Sequence, residues 1–330
     1  MKFGVGMYSA QRPPGSKRSY SDLYADMLRQ ARLAEEVGLD SFWIAEHHFA
    51  EDGYVPAILP VCAAVLASTR RLVAGTAVAI ASFYDPIRLA EDSIALDLLS
   101  GGRFVLGLGT AYRPEEFAGF GVEPETDEPR LDETIEILER AFSGRAFSYS
   151  GRFHQVPELT VTPPPRTTGG PPMILAGDGV IDRDAMRAAQ RGKAYMIDPA
   201  LSLDEVKRLV ELYDGAFGEG DKPELPLFNY GFISDDADPW EQMRGGFTYL
   251  RQTYDRWGGR AVREVHRENH RLILGTRTEV TEQVLEYHRL FGDRTHFIMR
   301  LDYPGQDPDV SDAGVRAFGD VAAAVRRRLQ

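Results

Sequence analysis

The sequence predicts an α/β protein, a (β/α)8 barrel with insertions after its fourth and seventh strands. Three observations predict it. Strand-like apolar runs and helix-like amphipathic patterns alternate along 330 residues, giving about eight repeats of strand and helix. Several strand candidates are continuous apolar runs rather than alternating ones, the pattern of parallel strands buried on both faces. A barrel of this kind needs about 250 residues, so the length leaves room for insertions. The chain shows no internal repeat and no low-complexity tail, and one domain over residues 1–330 is expected.

The first strand runs from Phe3 to Met7, where apolar residues alternate with glycine. Leu23, Met27, Ala31, Ala34 and Val37 then fall at helical spacing, with Ser21 or Asp22 as cap and Gly38 as stop. Phe42 to Ala45 is the second strand, followed by a helix from about Pro56 to Ser68. Leu72 to Ile80 reads as the third strand, and a helix from Pro86 ends at Gly101-Gly102. Phe104 to Leu108 is the fourth strand, with its helix marked by Leu131, Ile135, Leu138 and Phe142. Met173–Ala176, Ala194–Ile197, Leu227–Ile233 and Phe297–Leu301 supply strands five to eight. Helical patterns occupy 183–191, 203–216, 239–256, 279–291 and 311–329. The insertions are 143–171, which carries Pro163-Pro164-Pro165 and suits a hairpin with an extended loop, and 234–295.

Composition narrows the function. The chain is 43% hydrophobic and 27% charged with a net charge of −12, and no stretch concentrates Lys and Arg among aromatics. Nucleic acid and anionic membranes are therefore poor partners. Cys62 is the single cysteine, so disulfides and cysteine-rich metal sites are excluded. Met1 to Met7 lacks the apolar core of a signal peptide, and a soluble, cytoplasmic protein is expected. His266 and His270 sit at the spacing of one helix face, but Arg263, Arg267 and Arg271 surround them. A solvated face is expected there, and no metal site.

Barrel enzymes work at the C-terminal ends of their strands. Strand two ends in Glu46-His47-His48, where two imidazoles that titrate near neutral pH meet a carboxylate. Strand three ends in Ala79 to Tyr84, strand four in Gly107-Leu108-Gly109-Thr110-Ala111-Tyr112-Arg113, strand five in Ala176-Gly177-Asp178-Gly179, and strand eight in Asp302-Tyr303. Small residues on strands three to five let a flat ligand approach the backbone, and aromatic walls suit a conjugated ring. Gly107-x-Gly109 lacks the third glycine of a dinucleotide fingerprint.

Five stretches together resemble the bacterial luciferase-like flavin-dependent monooxygenases: Trp43 to Phe49, Val73 to Val78, Asp85 to Asp92, Leu98 to Phe104, and Tyr112 to Phe117. Their order and spacing carry the resemblance over nearly the whole chain. It implies a barrel that holds reduced FMN at the strand C-termini, commonly as a homodimer, and an enzyme that uses O2 to oxidise a small organic substrate. His47 falls on the family's catalytic histidine, as acid/base or as stabiliser of the flavin-peroxide. His48 and Glu46 are expected to support it. Thr76, Ala77 and Val78 fall on the flavin-facing strand, with a non-proline cis peptide implied at Ala77–Val78. Gly109, Thr110, Arg113, Gly177, Asp178 and Gly179 fall around the phosphate.

Two positions depart from the family pattern. Thr110 stands where an arginine is usual, and Asp178 where hydroxyl residues are usual. Backbone N–H groups at 177–180, the Thr110 hydroxyl and Arg113 or Arg183 are the available phosphate donors. Such a site suits reduced FMN as a dissociable co-substrate delivered by a separate flavin reductase. Two alternatives are a deazaflavin-dependent hydride-transfer enzyme and a barrel that has lost flavin binding to become a binding or assembly protein.

Overall fold

A computed structural model describes residues 1–176 and 182–330. In chain order the first elements are β1 (Lys2–Tyr8), α1 (Tyr20–Glu36), β2 (Ser41–Ile44), α2 (Ile58–Ser68), β3 (Val73–Thr76), β4 (Ala79–Ile80) and α3 (Pro86–Ser100). Then come β5 (Phe104–Gly109), α4 (Pro114–Phe120), α5 (Asp127–Phe142), β6 (Phe147–Ser150), β7 (Gln155–Leu159), β8 (Met173–Ala176), α6 (Asp182–Gln190) and β9 (Ala194–Met196). The last are α7 (Leu203–Phe217), β10 (Leu225–Ile233), α8 (Pro239–Trp257), β11 (Leu272–Gly275), α9 (Arg277–Phe291), β12 (Thr295–Arg300) and α10 (Pro308–Leu329).

The long strands form one curled parallel sheet in the order β11-β10-β12-β1-β2-β3-β5-β8-β9, with β4 pairing β5 beside that path. Beyond β9, Ile197 bridges in parallel to Leu227 of β10, so the curl returns on itself. The outer half of β10, Tyr230 to Ile233, pairs instead with β11. β6 and β7 make a separate antiparallel hairpin within 143–171.

Local chemistry explains the helix starts. Ser19 and Asp22 form a reciprocal capping box on α1, and Asp85 caps α3 ahead of Pro86. The Glu35 carboxylate accepts the N–H groups of Arg70 and Leu72, tying the end of α1 to the entry of β3. Inside the curl, Trp43 is fully buried against Phe228, ring centroids 5.7 Å apart. A Cβ on Gly75 would come within 2.3 Å of the Trp43 ring, so glycine there makes room for the indole.

Three expectations need correction. The third strand is not continuous: the peptide Ala77–Val78 is cis, and the chain leaves β3 at Thr76 to resume as β4 against β5. His266 and His270 are not on an α-helix but flank a single 3-10 turn, Arg267–Asn269. The segment between strands seven and eight holds a further strand, β11, whose three apolar residues and one glycine are too short a run to show a period. No described helix is long and apolar enough to cross a membrane.

Candidate active site

The chain leaves β2 at Ile44 and places Glu46 and His47 in buried positions, Glu46 only 3% exposed. Buried ionisable groups need partners, and each imidazole has a carboxylate. His48 Nε2 lies 2.6 Å from Glu46 Oε1, and the Tyr84 hydroxyl donates to Glu46 Oε2 at 2.8 Å. His47 Nδ1 lies 2.9 Å from Oε1 of Glu116, a residue of α4 that is fully buried. The same oxygen accepts the His48 backbone N–H at 2.8 Å.

The two carboxylates are perturbed in opposite directions. Burial holds the Glu46 carboxyl above its ordinary range despite the His48 and Tyr84 hydrogen bonds. Burial also pushes Glu116 upward, but His47, the His48 amide and Arg113 outweigh it and leave Glu116 below its ordinary value. His47 is shifted down, because burial opposes the imidazolium more than Glu116 favours it. A neutral His47 facing an ionised Glu116 carries its proton on Nδ1. Nε2 is then the acceptor, and the Tyr112 hydroxyl, 3.2 Å away, is its donor.

Aromatic rings wall this imidazole. Tyr54 and Trp257 lie with centroids 4.8 Å from it, and Tyr112 at 5.2 Å. The hydroxyls of Tyr54 and Tyr254 meet at 3.0 Å. Tyr254 and Trp257 come from the last turn of α8, inside the second insertion.

The expected cofactor residues divide. Ala77 and Val78 are half-buried, as are Thr110 and Ala176, and together they form a shelf of small side chains at the ends of β3, β5 and β8. A Cβ on Gly109 would meet Val78 Cγ2 at 2.7 Å, so that shelf needs glycine to stay level. Thr76 is buried and spent on structure: its hydroxyl donates to Gly107 O at 2.6 Å and accepts Gly107 N–H at 2.7 Å. Arg113, expected at the phosphate, is 4% exposed and folds onto the histidines, donating to His48 O and Glu116 with its guanidinium 4.1 Å from the Trp257 ring. Gly177, Asp178 and Gly179 lie outside the described residues. Among the described residues there is no cluster of His, Cys, Asp or Glu that suits a metal ion.

Glu116 was missed by sequence reasoning, although it lies inside the stretch Tyr112 to Phe117. The available signal was a glutamate pair in the first turn of a helix that starts beside a strand end.

Comparison with known proteins follows the same lines. Residues 1–294 match the family model described as luciferase-like monooxygenase. The chain is 31% identical over 244 residues to the uncharacterized protein y4vJ of Sinorhizobium fredii, covering 72% of this chain and 68% of that protein. It is 25% identical over 228 residues to the oxygenase component of the flavin-dependent trigonelline monooxygenase of Acinetobacter baylyi, covering 67% of this chain and 62% of the relative. It is 33% identical over 170 residues, 49% of this chain and 51% of the relative, to the F420-dependent glucose-6-phosphate dehydrogenase of Amycolatopsis mediterranei. The last two relatives are thus matched over less than two thirds of their length. Among solved structures, monooxygenase RslO1 from Streptomyces bottropensis superposes with a TM-score of 0.83 at 25% identity, covering 98% of this chain and 99% of that one.

Proposed function

From the premise that the chain belongs to the luciferase-like monooxygenase family, we propose that it is the oxygenase component of a two-component flavin-dependent monooxygenase. It takes reduced FMN from a separate reductase and uses O2 to oxidise a small organic substrate, as a cytoplasmic homodimer. We read the curled sheet as a (β/α)8 barrel forming one domain over 1–330, with insertions after β5 and β10.

The observation that carries this reading is His47, held between Glu116 and Tyr112 with its Nε2 turned to an aromatic chamber. The half-buried shelf of Ala77, Val78, Thr110 and Ala176 fits the flat ring of a flavin. Bound reduced flavin would supply two electrons to O2. The protein's own residues do the rest. Glu116 fixes the His47 tautomer, Nε2 accepts or holds a proton, and Tyr112 can return one. The rings of Tyr54, Tyr254 and Trp257 exclude water from that nitrogen.

A second reading, hydride transfer with a deazaflavin, is favoured by the similarity to an F420-dependent dehydrogenase. The same imidazole–carboxylate pair would serve that chemistry. Anaerobic titration with reduced FMN, oxidised FMN and F420, followed by admission of O2, separates the two. Tight binding of reduced FMN with substrate-dependent O2 uptake supports the monooxygenase. Binding of F420 alone moves the protein to hydride transfer, and binding of no flavin defeats both.

A further inference from the structure

A buried cation stands at the end of β12, two strands along the sheet from the β2 exit that carries His47. Arg300 is the last residue of β12, paired in register with Tyr230 of β10, and is 1% exposed. Its Nε donates to Asp302 O at 3.0 Å and its Nη2 to Ser9 Oγ at 2.7 Å. Nη1 is buried with no partner. From Ser9 the bonds continue to Gln11 at 2.9 Å and to Asp52 at 2.8 Å, so along this chain of bonds a carboxylate lies two neutral side chains away. Among the described residues Arg300 forms no ion pair.

Other arginines in the molecule show what a satisfied guanidinium looks like here. Arg271 spends Nε on Leu201 O, Nη1 on Asn229 and Tyr287, and Nη2 on Asp198 O and Phe228 O. Arg103 likewise binds Ser100 O, Leu72 O and Leu66 O with its three nitrogens. Those two are structural clamps that need no counter-ion. Arg300 has neither a full set of acceptors nor an ion pair: the Asp302 carboxyl feels its charge but is hydrogen-bonded to Ser311 and Gln30 and is held above its ordinary range by burial, and a buried charge left in that state is costly unless something else completes it.

Position says what that is. Ile298 lies inside the curl beside Trp43 and Phe228 around Gly6, so Arg300, two residues further along β12, projects from the same inner face, and Tyr54, whose phenol feels the Arg300 charge, is in contact with His47. In the sheet order β12-β1-β2-β3-β5-β8, His47 at the end of β2 stands between Arg300 on one side and the small-residue shelf on the other. A ligand on the Arg300 side would therefore meet the imidazole across from the shelf.

We propose that Arg300 anchors an acidic group of the substrate, and that the substrate class is a planar organic acid such as an aromatic carboxylate. The inference rests on reading the aromatic chamber as the substrate site. A guanidinium fork with a free Nη1 matches a carboxylate in both charge and geometry, and the tyrosine and tryptophan rings match a flat body.

The test uses benzoate and its neutral isostere benzamide as probes, titrated into the full chain and read by tryptophan fluorescence, since Trp257 lines the chamber. The wild type is expected to bind benzoate about ten-fold or more tightly than benzamide, the scale of a charge-assisted hydrogen bond. Arg300→Met should abolish that preference while leaving the circular dichroism spectrum and reduced-FMN affinity unchanged. Arg300→Lys, which keeps the charge, should retain a preference, and it serves if the Met variant does not fold. Equal affinity for the two probes in the wild type, binding of neither, or a preference that survives Arg300→Met would overturn the proposal. Loss of reduced-FMN binding alone would strike the flavin reading and leave a benzoate preference standing.

Discussion

Two imidazole–carboxylate pairs sit side by side at the end of β2, and they are built differently. His48 takes its carboxylate from two residues away, whereas His47 takes its own from 69 residues away on α4. Glu46 uses both oxygens, one on His48 and one on Tyr84. Glu116 gathers its donors on Oε1 and leaves Oε2 buried without a partner. The His48 ring borders a cavity of about 260 Å³ lined mainly by apolar residues such as Ile58, Leu59, Phe83 and Phe120. The His47 ring instead faces three phenols and an indole. The local pair ties the strand exit to Tyr84, and the long-range pair ties it to α4.

The largest expected effect separates the histidines directly. His47→Ala should lower turnover by about 10²- to 10⁴-fold with reduced-FMN affinity retained. His48→Ala should cost less than about ten-fold by the same comparison. Stopped-flow turnover beside an anaerobic flavin titration measures both, and equal losses would erase the contrast.

Next in size is Glu116→Gln, with an expected loss of about 10- to 100-fold, as for other imidazoles deprived of the carboxylate that orients them. Its pH profile is more telling than its rate. Glu116 raises the His47 pKa against burial, so its removal lets that pKa fall further. The acid limb of kcat/KM should move to lower pH, and a limb that stays in place would assign Glu116 a structural role only.

Stability should distinguish the carboxylates by sign. Glu46 titrates above the ordinary glutamate value of 4.5, so the folded state binds its proton more tightly than the unfolded chain does. Stability from this group is present below that value and is lost as pH rises through the folded pKa. Glu116 titrates below 4.5, so its contribution is present above that value and is lost as pH falls through the folded pKa. Urea denaturation between acid and neutral pH should therefore show Glu46→Gln relieving the loss on the rising side and Glu116→Gln relieving it on the falling side. Slopes of the same sign in both variants would contradict the assignment. The smallest effect is Tyr84→Phe, about 0.5–1.5 kcal/mol for one hydrogen bond to Glu46, with turnover unaffected.

What could be read from the sequence follows from how far apart the interacting residues lie. The strand ends, the helix caps and the Glu46–His48 neighbourhood are set by residues within a turn or two of one another, and periodicity reports them. Glu116 was not legible in this way. Glu115 and Glu116 are adjacent on a seven-residue helix, yet the first side chain is 64% exposed and the second is fully buried. Which one turns inward depends on how α4 packs against the β2 exit. Tyr254 and Trp257 were equally hidden, because aromatics at helical spacing read as core whether they cover a catalytic imidazole or not. Arg300 falls inside the strand Phe297–Leu301 expected from the sequence; its shortage of partners appears only when the neighbours from the ends of β1 and β10 are in place.

The return of the sheet on itself has a kinetic side. Between β9 and β10 the ring is joined through the one bridge at Ile197 and Leu227, with the Ile197 N–H reaching Pro226 O at 3.5 Å. Elsewhere neighbouring strands share longer ladders, such as the six-residue register of β10 with β12. Opening this seam breaks the fewest backbone bonds, so the Ile197 amide should exchange its hydrogen with solvent well before those of β1 or β12. β10 leads directly into α8, which carries Tyr254 and Trp257. Breathing at the seam should therefore loosen the cover over His47, with the imidazole still held by Glu116.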